Sequence, residues 1–152
     1  MPELVIRHVV RQDFDEWLKL WNGYNAFYGR EGETALPERV TQTTWSRLLD
    51  LAEPMYALVA VSGGRIAGLA HYLFHRSTIS VPPVCYLQDL FTSPAFRGNG
   101  VAAALIQRVS DEARIGGSQR VYWQTHESNA AARRLYDRLA EQSGFLVYRK
   151  SL

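Results

Sequence analysis

Apolar residues along this chain switch several times between a spacing of two and a spacing of three to four, and each switch marks an element. Leu4 to Val10 is rich in β-branched residues and predicts an opening strand. Asp13 then offers an N-cap. Phe14, Trp17, Trp21, Tyr24 and Tyr28 follow at helical spacing, predicting a first helix that runs to about Tyr28 with an aromatic stripe on one face. Pro37 to Leu51 predicts a second helix, stopped by Glu53-Pro54. Met55 to Val61 and Arg65 to Phe74 read as strands, and Ser62-Gly63-Gly64-Arg65 between them has the chemistry of a hairpin turn. Pro82-Pro83 leads into another strand, Val84 to Thr92. Val101, Leu105, Val109 and Ala113 then keep helical spacing, while Arg108, Asp111, Glu112 and Arg114 fall on other faces, and Gly116-Gly117 ends that helix. A strand from Arg120 to Thr125, a helix from about Asn129 to Glu141 and a last strand from Phe145 to Lys150 complete the order β-α-α-β-β-β-α-β-α-β.

No repeat, low-complexity tract or linker interrupts this order, so residues 1–152 are expected to form one α/β domain, a mixed sheet flanked by helices. With 152 residues and 47% apolar content, such a domain can bury a real core. The net charge of +2 and the interleaving of 17 basic with 15 acidic residues argue against a nucleic-acid partner. Cys85 is the only cysteine. It reads as a small buried hydrophobe in a reducing, cytoplasmic setting. The opening Met1-Pro2-Glu3 has no basic, apolar leader, and the longest apolar run, Met55 to Val61, is far too short to span a bilayer. No membrane partner is therefore expected.

Candidate chemistry concentrates at Arg97-Gly98-Asn99-Gly100-Val101-Ala102, which lies between a strand pattern and a helix pattern. Glycines at such a junction leave backbone N–H groups free at the positive end of a helix dipole, a cradle suited to phosphate. No Gly-Lys-Ser/Thr follows, so a Walker loop is excluded. Gly98-x-Gly100-x-x-Ala103 meets the loose dinucleotide pattern, but the next strand, Val121-Tyr122-Trp123-Gln124-Thr125, ends without the acid that a ribose needs. A plain glycine turn without a ligand is the bland alternative.

The loop and its surroundings resemble the GNAT superfamily of acyl-CoA-dependent N-acetyltransferases, whose signature Arg/Gln-x-x-Gly-x-Gly/Ala is matched by Arg97-x-x-Gly100-x-Ala102. Tyr86-Leu87-Gln88-Asp89-Leu90-Phe91 before the loop and Glu127-Ser128-Asn129 with Leu135-Tyr136 after it extend the likeness over nearly the whole chain. Within the superfamily the chain is most similar to the branch of the diamine (spermidine/spermine) and yeast Hpa-type acetyltransferases. The resemblance implies a splayed central sheet, acetyl-CoA as cosubstrate and no metal. It implies that the amides of Gly98, Asn99, Gly100, Val101, Ala102 and Ala103 beside Arg97 hold the pyrophosphate. It also implies that the pantetheine arm pairs with the backbone of Leu90, Phe91 and Thr92, and that Asn129 contacts the coenzyme. Tyr136 would donate a proton to the departing thiolate, in direct transfer to an amine. The final strand resembles the segment through which this branch dimerises, which implies a homodimer.

Asn129 and Tyr136 lie seven residues apart, so they share one face of a helix. The residues alone leave two readings: a cap and a core aromatic, or two contacts to one ligand. Gln88-Asp89 sets a polar pair in a strand otherwise buried on both faces, and alternation sends the two side chains to opposite faces. The related diamine enzymes carry glutamate where this chain has Gln88, and an amide cannot accept the proton. Asp89, a water chain or a carboxylate elsewhere must then serve, and Asp89 could equally be a structural acceptor bonded to backbone or to a neighbouring tyrosine. The end of the first helix, Tyr24 and Tyr28 with Glu31 beyond it, is a candidate wall for a small-molecule amine acceptor, since aromatic faces attract ammonium groups. A protein lysine or N-terminus is the other acceptor considered, and a non-catalytic acyl-CoA sensor is the rival from another class. His71 and His75, four apart in a strand, are too distant to share a metal, and His126 reads as a loop residue before the last helix.

Overall fold

The computed structural model of the chain describes residues 2–152. Its five-stranded sheet has the order β1 (Leu4–His8), β2 (Met55–Ser62), β3 (Arg65–His75), β4 (Val84–Thr92) and β5 (Val121–Tyr122). The first four strands pair antiparallel and β5 joins β4 in parallel, so the sheet is mixed. Helices α1 (Phe14–Phe27) and α2 (Glu38–Leu49) precede β2. Helix α3 (Val101–Ile115) connects β4 to β5, and α4 (Ala130–Leu139) follows. No helix among the described residues is long and apolar enough to cross a membrane.

Each face of the sheet carries its own core. On one side Trp17, Leu20, Trp21 and Tyr24 of α1 and Trp45 and Leu48 of α2 pack on Ala57, Val59 and Leu69. On the other, Val101, Leu105, Ile106, Val109 and Ala113 of α3 pack on Leu58, Ala60, Ala70, Tyr72, Cys85 and Leu87. The aromatic stripe of α1 is thus core along most of its length. Gly68 of β3 lies under the start of α3, where a Cβ would stand 2.6 Å from Val101 Cγ1 and 2.9 Å from the Phe91 carbonyl oxygen.

Two irregularities in β4 shape the molecule. His71 pairs with Asp89 whereas Tyr72 pairs with Leu87, so Gln88 is an extra, bulged residue. Leu87 and Leu90 consequently both pack with the α3 core, which strict alternation forbids for residues three apart, and Asp89 reaches His71 on the α1 side. The bulge interrupts the simple alternation on which the opposite placement of Gln88 and Asp89 was based. In addition, β5 pairs with β4 only at Cys85 and Tyr86, and from there the two strands part. The sheet is splayed as expected, and the splay shortens the strand predicted over Arg120–Thr125 to two residues.

Three further expectations are corrected. Asp13 does not cap α1 through its side chain; its carboxylate accepts two bonds from Arg7, at 2.8 and 2.9 Å, and one from the Val10 amide. The opening strand ends at His8, two residues before Val10. The last strand, Phe145 to Lys150, is absent: residues 141–152 form no regular element, and Phe145 and Tyr148 are each 90% exposed. A strand needs a neighbour to receive its N–H and C=O groups, and among the described residues no strand pairs with that segment.

Candidate active site

The glycine loop enters α3 through a short turn over Pro94–Phe96. Gly98 and Gly100 both have left-handed backbones, φ 80° and 76°, a region that costs other residues about 1–2 kcal/mol. Nothing lies within 4 Å of where their Cβ atoms would be, so the approach to the loop is open. The Asn99 side-chain Nδ2 donates to the carbonyls of Phe96 and Arg97 at 3.0 and 3.2 Å, tying acceptors inward. The first helical bond of α3 runs from the Ala104 amide to the Gly100 carbonyl, which leaves the amides before it without partners in the helix. Free amides, absent side chains and a helix N-terminus together fit a diphosphate. Arg97, exposed beside the loop, sets its guanidinium carbon 5.9 Å from the centre of the Phe91 ring.

Upstream of the loop, Leu90, Phe91 and Thr92 pair with β3 at Ala70, Leu69 and Gly68 and have no strand on their other side. Main-chain groups on that edge are available to an extended ligand. Three residues past the end of β5, Thr125 carries a buried hydroxyl without a hydrogen-bond partner among the described residues. A buried polar atom left unpaired costs about 1–3 kcal/mol.

The floor of the site on the α1 side is a buried polar chain. Trp17 Nε1–H donates to His71 Nε2 at 3.0 Å, which makes His71 the Nδ1–H tautomer, and Nδ1 lies 2.9 Å from Asp89 Oδ2. Asp89 therefore accepts from His71, and its side chain is only 13% exposed. Burial first, and then the nearby Asp89 carboxylate, raise the Tyr24 pKa far above the phenol range. Tyr28 is raised in the same sense by burial, with Asp89 adding to it and Arg30 opposing it. Gln88 is exposed at the bulge.

Helix α4 supplies the opposite wall. Asn129 caps it, accepting from the Ala132 amide at 3.4 Å. Tyr136 packs against Trp123 with ring centres 5.5 Å apart and an edge-to-face angle of 70°. Burial, with a smaller contribution from Tyr28, lifts the Tyr136 pKa to about 12. The hydroxyl is thus a proton donor throughout the neutral range, and α1 and α4 bring Tyr28 and Tyr136 within electrostatic reach of one another.

Arg30 follows α1 with its guanidinium carbon 5.8 Å from the Tyr24 ring centre and 5.5 Å from that of Tyr28. Glu31 is exposed, and its amide meets the Thr34 hydroxyl at 3.3 Å in the turn that begins there. His126 is exposed and bonds Ser128 at 2.6 Å. Burial pushes the Cys85 thiol up to about 12, which removes it as a nucleophile at neutral pH. Among the described residues no group of three or more His, Cys, Asp or Glu is arranged to hold a metal.

Sequence spacing did not disclose His71 or Arg30. His71 meets Asp89 across a strand pair joined at a bulge, a contact without a local signature. Arg30 carried one hint, its position two residues after Tyr28 and five after Asn25.

The profile described as the acetyltransferase (GNAT) family matches residues 15–140. D-amino-acid N-acetyltransferase HPA3 of Saccharomyces cerevisiae is 31% identical over 150 residues, covering 97% of this chain and 91% of that protein. The uncharacterized N-acetyltransferase YhfO of Bacillus subtilis is 27% identical, over 94% of each chain. Among solved structures, a transcriptional regulator from Bacillus halodurans superposes with a TM-score of 0.83 at 19% identity, over 99% of this chain and 100% of that one. Aminoglycoside acetyltransferase AAC(6')-Iy, in complex with the bisubstrate analog CoA-S-monomethyl-acetylneamine, superposes at 0.82 and 19% identity over 99% of each.

Proposed function

We propose, from the premise that the chain belongs to the acetyltransferase (GNAT) family, that this N-acetyltransferase moves acetyl directly from acetyl-CoA to a small primary amine. The observation that carries the reading is one continuous surface: the unpaired edge of β4 runs into a loop of free amides. In this reading the amides of Gly98 to Ala103, with Arg97 beside them, hold the pyrophosphate. The main chain of Leu90, Phe91 and Thr92 pairs with the pantetheine arm, and Asn129 contacts the coenzyme while capping α4. Acetyl-CoA supplies an acyl group activated as a thioester.

Tyr136 gives its proton to sulfur as the carbon–sulfur bond breaks and the carbon–nitrogen bond forms. The amine nitrogen gives up a proton in the same process, and Asp89 is the buried carboxylate suited to take it. A primary ammonium of pKa near 10.4 first releases one proton to solvent, at a cost on the order of 4–5 kcal/mol at pH 7, so that the neutral amine attacks; the proton lost during attack goes to Asp89, and solvent returns one to the Tyr136 phenolate. Gln88 aligns the amine by hydrogen bonding. Trp17 and His71 are positioning residues that fix the Asp89 carboxylate. Tyr24, Tyr28 and Glu31 wall the acceptor side. The likeness to a D-amino-acid acetyltransferase along almost the whole chain favours an acceptor of amino-acid size.

We further propose a homodimer built through residues 145–150, since four consecutive apolar side chains there are 69–90% exposed. A monomer mass in light scattering would remove that part. For the reaction itself, thiol release from acetyl-CoA is expected with a small amine, and mass spectrometry during turnover is expected to show no acetylated protein. If acetyl-CoA titrated into the folded chain gives no heat, the reading fails at its first step.

A further inference from the structure

Arg30 is held in an unusual way for a loop arginine. Its Nε–H donates to Asn25 Oδ1 at 2.7 Å, and its amide donates to the Asn25 carbonyl at 2.9 Å. Asn25 is itself 4% exposed and anchored to α1 through the bond from its Nδ2 to the Trp21 carbonyl at 2.9 Å. A buried amide thus orients the guanidinium plane over Tyr24 and Tyr28. Its two terminal nitrogens have no hydrogen-bond or ion-pair partner among the described residues.

The same two tyrosines feel a second charge of opposite sign, Asp89, and the two charges do not pair with each other. The aromatic row that carries the Arg30 guanidinium on Tyr24 and Tyr28 continues through Trp21, stacked on Tyr24 with ring centres 5.8 Å apart, to His71 and the Asp89 carboxylate it bonds. A guanidinium with two free nitrogens in one plane matches a carboxylate bidentately. The faces of Tyr24 and Tyr28, which would otherwise draw an ammonium group, are already taken by a cation, and a second ammonium there would be repelled. Such a wall suits a zwitterion and disfavours a polyamine.

Resting on the acetyltransferase reading above, we propose that Arg30 binds the carboxylate of the acceptor, so that the substrate class is an amino acid whose amino group is directed toward Asp89. Asn25 is the positioning residue for that guanidinium.

The test compares kcat/KM for an amino acid with kcat/KM for the matching decarboxylated amine, in the native chain and in Arg30→Gln and Arg30→Lys. Native protein is expected to favour the amino acid. Arg30→Gln is expected to lower that preference about 10- to 100-fold, the scale of a lost charge-assisted bidentate contact, chiefly through KM. Arg30→Lys, which keeps charge without the fork, should restore part of it. Acetyl-CoA affinity serves as the check that each variant is folded. A preference unchanged in Arg30→Gln overturns the proposal, as does a native protein that favours a diamine. If no amine is turned over, calorimetry of the amino acid in the presence of CoA separates the two ideas. Binding that Arg30→Gln abolishes keeps the carboxylate subsite while the catalytic reading falls, and no binding by the native chain sinks both.

Discussion

The two halves of the cleft are made of different material. The half formed by the loop before α3 and the open edge of β4 presents main-chain groups, with left-handed glycines keeping side chains out of the way. The half between α1 and the bulge is made of side chains: Trp17, His71 and Asp89, linked by hydrogen bonds of 2.9 and 3.0 Å, and Tyr24 beneath the Arg30 guanidinium, which Asn25 holds at 2.7 Å. In the proposed reading, main-chain donors recognise what every substrate pair shares, the diphosphate and amide arm of one coenzyme. Side chains recognise what differs. Such a division lets a fold keep its donor and exchange its acceptor by substitution on one wall, in line with function residing in sites grafted onto a common fold.

The largest expected effect falls where the halves meet. Tyr136→Phe should reduce kcat by about 10²- to 10⁴-fold, the usual worth of a general acid, with acetyl-CoA affinity in calorimetry almost unaltered. Because the Tyr136 pKa stands at about 12, activity should show no alkaline loss assignable to this group below that pH. The same shift has a stability counterpart. The folded state holds the phenol neutral more firmly than the unfolded chain does, so its contribution is complete below pH 10 and disappears as pH rises toward 12, which alkaline unfolding curves would register.

Next in size is a break confined to the side-chain half. His71→Ala deprives both the Trp17 indole and the Asp89 carboxylate of a partner, each loss costing about 1–3 kcal/mol. The urea midpoint should drop, and KM for the amine should rise with acetyl-CoA affinity nearly constant. Loss of coenzyme affinity to the same degree would mean that the two halves are not separable.

The smallest effect probes the main-chain half from beneath. Gly68→Ala forces a Cβ to within 2.6 Å of Val101 Cγ1, at the first turn of α3, and such overpacking costs about 1–3 kcal/mol. A displaced first turn misaims the amides, so acetyl-CoA should bind about tenfold more weakly, the equivalent of one charge-assisted bond, while the preference among amines stays as it was.

The chain's own periodicities determined most of this architecture. Helical spacing located α1 and α3 closely, hairpin chemistry joined β2 to β3, and a glycine run between strand and helix marked the amide cradle, because each is a short-range signal written in consecutive residues. The cap at Asn129 was equally local. Tertiary structure alone decided the rest. The bulge at Gln88 depends on how β4 registers against β3, and it turned Asp89 toward His71 and Trp17, which lie 18 and 72 positions away in the chain. The guanidinium over Tyr24 and Tyr28 depends on a buried asparagine, Asn25, anchored in α1. The strand-like composition of Phe145 to Tyr148 found no ladder within one chain, since β propensity expresses itself only where a neighbouring strand offers its hydrogen bonds. Local pattern proposes an element; its neighbours in space decide whether it forms and which side chains it brings together.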